Sequence, residues 1–293
     1  MVETGGRINV FIKKFDSIFE SLNQKIDPYR FLSGNIVKII AVVIMFIDHF
    51  NKIIIAWIQG NIWLPMYLDK QMSWEQFSRI DWFLRSDLYR FGTIAFPLFC
   101  FLLVEGFCHT KHFKRYFLLM GVFALVSEIP FDLAFFSDIS LSQGMFPFYW
   151  RYQNVFFTLF LGLGALWCIK KFQDQTDSSR NSIKLIFFQM VSIVVMTSIA
   201  YLIHSDYEAY GVLLIVAIYL FRKNPLYQIF AFLLVYILMT GSQPTLTTFI
   251  PCLIILFYNG ERGRLCLKYF FYLFYPLHIA ILYLVTLLLT PYE

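Results

Sequence analysis

Charge is scarce in this chain. Only 15% of its 293 residues are Asp, Glu, Lys or Arg, 59% are hydrophobic, and the mean hydropathy is +0.64. A soluble domain of ordinary composition is excluded by those values. A cysteine framework is missing too. Cys100, Cys108, Cys168, Cys252 and Cys266 show no Cys-x-x-Cys spacing and mostly lie in apolar runs, so small buried thiols are expected, with no metal or redox site. Met1 to Arg30 is polar and has no apolar core ahead of a small-residue cleavage site, so no removable signal peptide is expected. Internal repeats and low-complexity tracts are absent. The formal charge of +5 does not point to nucleic acid, because the basic residues fall between apolar runs, where they set membrane topology.

Long apolar runs are what the chain has in abundance. They predict helices at about 36–58, 92–108, 114–136, 154–170, 184–203, 208–221, 225–240, 246–257 and 267–289. The fold class is therefore all-α, a polytopic integral membrane helix bundle of about nine transmembrane helices. Lys and Arg precede the first run and follow the second, fourth, sixth and eighth, which predicts an N-terminus inside and a C-terminus outside. Residues 1–34 read as an amphipathic cytoplasmic segment, a short surface helix broken at Pro28 and Gly34, and residues 35–293 as the transmembrane domain. Residues 59–91, with Trp63, Trp74 and Trp82 among balanced charges, read as an outer loop hugging the interface.

Ionisable residues inside the apolar runs are the candidates for chemistry. Each costs about 2.5–3.5 kcal/mol at a helix centre on insertion scales, so such residues are functional by default. Asp48 and His49 fall mid-way along the first run, His49 about 16 Å above Lys38. Consecutive helix positions diverge by about 100°, so one of the pair can face a cavity while the other anchors to a neighbouring helix. His49 reads as a general base or a transient acyl carrier, with Asp48 or another carboxylate holding its tautomer; the plainer reading is a polar pair that locks helix packing.

Five further groups stand out. Pro97 should kink the second helix, and Glu105, His109, Lys111 and Arg115 form with Lys38 a basic inner rim that would suit nucleotide phosphates. Positive-inside bias alone explains the same charges. Glu128 and Asp132 flank Pro130 on one helix face. Asn154 either caps the fourth helix or lines the same outer cavity, with Thr158 one turn on. His278, in Tyr275-Pro276-Leu277-His278, lies at a depth similar to His49. His204 and Asp206 sit in an outer turn, where solvation is the plainer explanation.

Several of these segments together resemble the TraX family: Asp48-His49, Ala95-Phe96-Pro97 with Glu105-Gly106-Phe107, Ser127-Glu128-Ile129-Pro130-Phe131-Asp132, Asn154-Val155-Phe156-Phe157-Thr158-Leu159, and Tyr275-Pro276-Leu277-His278. The resemblance runs from about residue 35 to 285. Lys38-x10-His49 is also similar to the Arg/Lys-x10-His motif of the acyltransferase-3 family, where the histidine is catalytic. The TraX family is named for a conjugative-plasmid protein that acetylates the N-terminus of F pilin. The resemblance implies a multi-pass acyltransferase of the bacterial cytoplasmic membrane, surrounded by membrane lipids and using acetyl-CoA as acyl donor. The acceptor would be an amine or hydroxyl of a secreted peptide, pilin, glycan or lipid. In that reading His49, Asp48, Glu128 and His278 are catalytic, and Lys38, Glu105, His109, Lys111 and Arg115 meet the donor. Arg90, Asp132, Asn154 and Thr158 line the acceptor cavity. The chain departs from the family where Thr93 stands in place of an arginine, with Arg90 the expected substitute. Two rival classes predict similar residues: a proton-coupled transporter or flippase, whose relays also use buried Asp, Glu and His, and a non-catalytic assembly factor.

Overall fold

The structure, a computed structural model, describes residues 2–83, 92–144, 147–176, 182–264 and 268–290. Their regular structure is helical: α1 (Val2–Ile26), α2 (Gly34–Leu68), α3 (Trp74–Phe83), α4 (Gly92–His109), α5 (Phe113–Ser142), α6 (Val155–Thr176), α7 (Ser182–Leu202), α8 (Glu208–Leu220), α9 (Pro225–Thr240), α10 (Leu246–Leu256) and α11 (Lys268–Leu289). All nine expected apolar runs are helices. Six of the helices, α2, α4, α5, α6, α7 and α11, are long and apolar enough to cross a membrane. The apolar helices α8, α9 and α10 are shorter. α8 spans 13 residues and α10 spans 11, so each rises less than the hydrocarbon thickness of about 30 Å.

Residues 59–83 require a correction, and 84–91 lie outside the described residues. α2 does not stop at residue 58 but runs on to Leu68 through two wide π-type turns, Asn51–Ile55 and Gln59–Trp63. Pro65 does not end it, because it falls in the first turn of the segment Leu64–Leu68, where a missing N–H is tolerated. α3 then folds back, with Tyr67, Trp74 and Phe77 clustered at ring separations of 5.4–6.0 Å and the Gln59 amide donating to Asp81.

The other expected surface helix is longer than foreseen. α1 spans 25 residues before the break at Asp27–Tyr29. It rests on the start of α9, where Phe19 meets Tyr227 edge-on at 4.8 Å and Asn23 donates to Asn224 across 2.7 Å.

The core forms where α8 packs among α4, α6, α7 and α9, with α2 against α4 and α11 against α5. Gly211 on α8 marks a tight crossing: a Cβ there would overlap Thr158 Cγ2 and sit 2.7 Å from Phe96 Cζ. α7 lies at the edge and turns large apolar side chains outward, among them Ile183, Phe187 and Val194. α2 is tied at its start to the turn after α10. Gly34 and Asn35 donate their backbone N–H groups to Glu261 and Arg262 carbonyls at 2.7 and 3.0 Å, which satisfies two orphan donors of the helix end. Gly263 has φ +82° and packs so closely that a Cβ would lie 2.8 Å from Ser33 Oγ. That turn needs glycine on both counts.

Candidate functional site

His49 sits on α2 and His278 on α11, and both are buried. Their rings stack with centroids 4.9 Å apart, and His49 Nδ1 lies 2.7 Å from His278 Nε2. The second nitrogen of His278, Nδ1, lies 2.6 Å from the Phe274 carbonyl one turn back on α11. Phe135 and Tyr275 approach His49 at ring distances of 5.8 and 5.7 Å, and Phe274 stacks on His278 at 4.7 Å. Two imidazoles therefore meet in an aromatic enclosure, where water cannot compete for their hydrogen bond.

Asp48 faces elsewhere, as the 100° step between neighbours requires. Its Oδ1 accepts the Gly92 N–H at 3.1 Å, and its Oδ2 pairs with Lys52 at 2.8 Å. It thus caps the start of α4, where a carboxylate also complements the helix dipole. A Cβ on Gly92 would lie 3.0 Å from that oxygen, so the glycine admits the cap. Tyr207 donates its hydroxyl to the Gly92 carbonyl at 3.1 Å and stacks on Phe96 at 3.6 Å. The expected orientation of His49 by Asp48 or Glu128 is not what the structure has. His278 holds that position.

Glu128 on α5 is bound to the start of α6. Its Oε2 accepts from the Asn154 backbone N–H at 3.3 Å and from the Asn154 side chain. Asn154 takes the capping role expected of it. Its Oδ1 accepts from Phe156 N at 3.0 Å, capping α6, while its Nδ2 also donates to the Ala124 carbonyl at 2.8 Å. Asp132 accepts from the Tyr149 N–H at 2.8 Å. Glu128 Oε1, Asp132 Oδ1 and Ser127 Oγ are buried with no hydrogen-bond partner among the described residues. Tyr275 joins this region to the histidines. Its ring meets Phe156 at 5.1 Å, and its hydroxyl lies within Coulombic range of Glu128 and Asp206.

The turn between α7 and α8 closes the same end of the bundle. Thr158 donates to Ser205 Oγ at 2.9 Å and to the Asp206 carbonyl, and Asp206 N–H donates to the Gln153 carbonyl at 2.8 Å. Tyr152 donates to Asp206 Oδ1 at 3.0 Å. Burial pushes the Asp206 carboxyl up to about 6, against the opposing pull of Lys52 and the Tyr152 bond. His204 pairs with Glu208 at 3.0 Å on the exposed side.

The expected donor residues lie at the opposite, basic end. Lys38 is half-buried, with its ammonium 5.5 Å from the Phe271 ring centre. Glu105 accepts from the Tyr258 hydroxyl at 2.9 Å, and His109 Nδ1 donates to the Glu105 carbonyl at 2.9 Å. Arg115 donates to the Tyr269 hydroxyl at 2.7 Å, and Lys111 is exposed on the α4–α5 turn. Arg90 lies outside the described residues. Sequence reasoning missed Lys52 and Tyr152, and it saw Tyr207 only as part of the outer turn His204-Ser205-Asp206-Tyr207. The spacing of four from Asp48 to Lys52 was a signal, since such pairs share a helix face; no local pattern marked the two tyrosines. Lys52 brings a cation to the start of α4, beside the position where Thr93 replaces the expected arginine.

Two comparisons with known proteins agree on kinship. The family model described as TraX protein matches residues 33–286. The probable fimbrial assembly protein FimC, serogroup H1, of Dichelobacter nodosus is 31% identical over 215 residues, covering 68% of this chain and 82% of that protein. No solved structure matches.

Proposed function

The chain belongs to the TraX family of membrane proteins, and from that premise we propose that it is an acetyltransferase acting on an exported fimbrial or pilin-type subunit. The acetyl group comes from acetyl-CoA as substrate and goes to a primary amine of the acceptor. The reading is carried by one observation: a hydrogen-bonded pair of buried imidazoles, His49 and His278, in the apolar middle of the bundle. Chains rarely hold ionisable groups there without a use for them.

Positive-inside distribution of Lys and Arg puts the basic end in the cytoplasm of a bacterial cell, with the Glu128 and Asp206 end outside. CoA phosphates would then meet Lys38, His109 and Arg115, with Lys111 at the exposed edge and Glu105 holding His109 in place. The acceptor ammonium would rest at Glu128 and Asp132, whose free oxygen atoms lack partners among the described residues, and lose its first proton to Glu128. The neutral amine attacks the thioester carbonyl, and His49 takes the second proton as the C–N bond forms. The C–S bond breaks, and the departing thiolate takes that proton back from His49 to leave as the thiol. Asp48 does not touch this chemistry. It holds α4 against α2.

The FimC relative is described as an assembly protein, which favours a second reading, a non-catalytic assembly factor. Protein reconstituted in nanodiscs, given acetyl-CoA and two synthetic peptides that differ only in a free or formylated N-terminus, separates the two. The peptide with the free amine should gain one acetyl group by mass spectrometry, and Glu128→Gln should slow that gain. Acetylation of both peptides alike would remove the amine from the proposal, and acetylation of neither would favour assembly.

A further inference from the structure

The distances around His278 decide where protons sit, and this can be worked through from one fixed point. A backbone carbonyl can only accept a hydrogen bond. The 2.6 Å contact between His278 Nδ1 and the Phe274 carbonyl therefore requires a proton on Nδ1. In a neutral imidazole the other nitrogen is then an acceptor. His278 Nε2 is that acceptor, and the 2.7 Å contact it makes must be supplied by a proton on His49 Nδ1. With Nδ1 protonated, the remaining lone pair of the His49 ring lies on Nε2.

We infer that His278 is a positioning residue that fixes the tautomer of His49, so that His49 Nε2 is the atom that accepts the proton. This deepens the acetyltransferase reading and rests on it for the identity of the proton donor. The order is Phe274 carbonyl, His278, His49, and each bond leaves the next ring one choice. A serine-protease triad fixes its histidine through a carboxylate on Nδ1. Here a second imidazole takes that place, and the carboxylates stand apart, Asp48 with Lys52 and Gly92 and Glu128 with Asn154.

The arrangement also accounts for the reacting proton. When His49 Nε2 takes a proton from the attacking amine, the pair carries one positive charge. The Nδ1 proton can then shift along the 2.7 Å hydrogen bond to His278 Nε2. The charge is shared by two rings and supported by the Phe274 carbonyl, and no atom or electron is gained or lost. Return of the proton to the departing thiolate resets both tautomers. A carboxylate in the same place would add a permanent charge to an enclosure lined by Phe46, Phe135, Phe274 and Tyr275. A neutral partner avoids that penalty until the moment of reaction.

The test reads tautomers directly. The chain has five histidines, so nitrogen-15 histidine labelling gives a tractable solid-state NMR spectrum, and His49→Gln identifies the His49 signals. In the wild type, in nanodiscs without substrate, His49 should show a protonated Nδ1 and an unprotonated Nε2. His278→Gln keeps an acceptor oxygen and should preserve that state, with CoA release from acetyl-CoA plus the free-amine peptide within about tenfold of the wild type. His278→Ala should move the His49 proton to Nε2 and lower CoA release on the order of 10²-fold or more. An Nε2-protonated His49 in the wild type, or an unchanged His49 tautomer in His278→Ala, overturns the inference. Should the wild type release no CoA, the spectrum still decides the tautomer while the acetyltransferase reading alone falls.

Discussion

Adjacent positions on a helix point about 100° apart, and that angle divides Asp48 from His49. One caps α4 and the other meets His278 on α11. The division was legible in the sequence as a geometric necessity, and so was the similar depth of the two histidines. Their direct bond was not. It depends on α2 and α11 lying side by side, which neither segment states on its own. Asp206 shows the same limit. Its turn reads as solvated, yet burial raises its carboxyl from its ordinary value of 3.8 to about 6. The sign follows from linkage. Below about 3.8 the group is protonated in both folded and unfolded chains. As pH rises from there to about 6 the unfolded chain ionises first, so the folded protein loses stability through this window. Thermal melts of wild type and Asp206→Asn, taken across the window, should therefore differ. Wild type should gain on the variant as pH falls from 6 towards 4. A constant difference across that range would mean that Asp206 is not held protonated.

Helix crossings, rather than helix existence, carry the information at the next scale. The nine apolar runs gave their helices by composition and length. The crossing of α4, α6 and α8 depends on Gly211, which a sequence of Leu, Ile and Tyr around it does not single out. A Cβ at Gly211 would overlap Thr158 and Phe96, the residues that hold the α7–α8 turn and the Tyr207 stack. Overpacking of this kind costs about 1–3 kcal/mol, so Gly211→Ala should lower the melting temperature clearly. The same change at Gly60, where a Cβ meets nothing within 4 Å, should be nearly silent. Equal behaviour of the two variants would show that the crossing is looser than described. The same dependence on contacts explains the miss at residues 59–83. A tryptophan-rich segment with balanced charges has no strong period. Only the clustering of Tyr67, Trp74 and Phe77 shows that α2 continues to Leu68 and α3 returns along it.

Across the whole molecule the polar groups separate into two ends joined by a narrow buried middle. Lys38, Glu105, His109 and Arg115 mark one end; Lys52, Asp132, Asn154, Thr158 and Asp206 mark the other. His49, His278 and Tyr275 stand between them. The basic end was readable from charge alternation, and the carboxylates from their rarity in apolar runs. The similar depth of His49 and His278 made convergence an expectation, but which groups touch was not readable, because α5, α6 and α11 are distant in sequence and meet only in the folded bundle. In the reaction we propose, a donor reaching from one end and an acceptor from the other would meet at the histidines. The direct measurement is CoA release from acetyl-CoA in the presence of the free-amine peptide by purified protein in nanodiscs, compared between wild type and His49→Ala, with insertion of both verified. Loss of a positioned general base should lower the rate by about 10²–10⁴-fold while the variant stays folded and inserted. Equal release by the two proteins would contradict the mechanism.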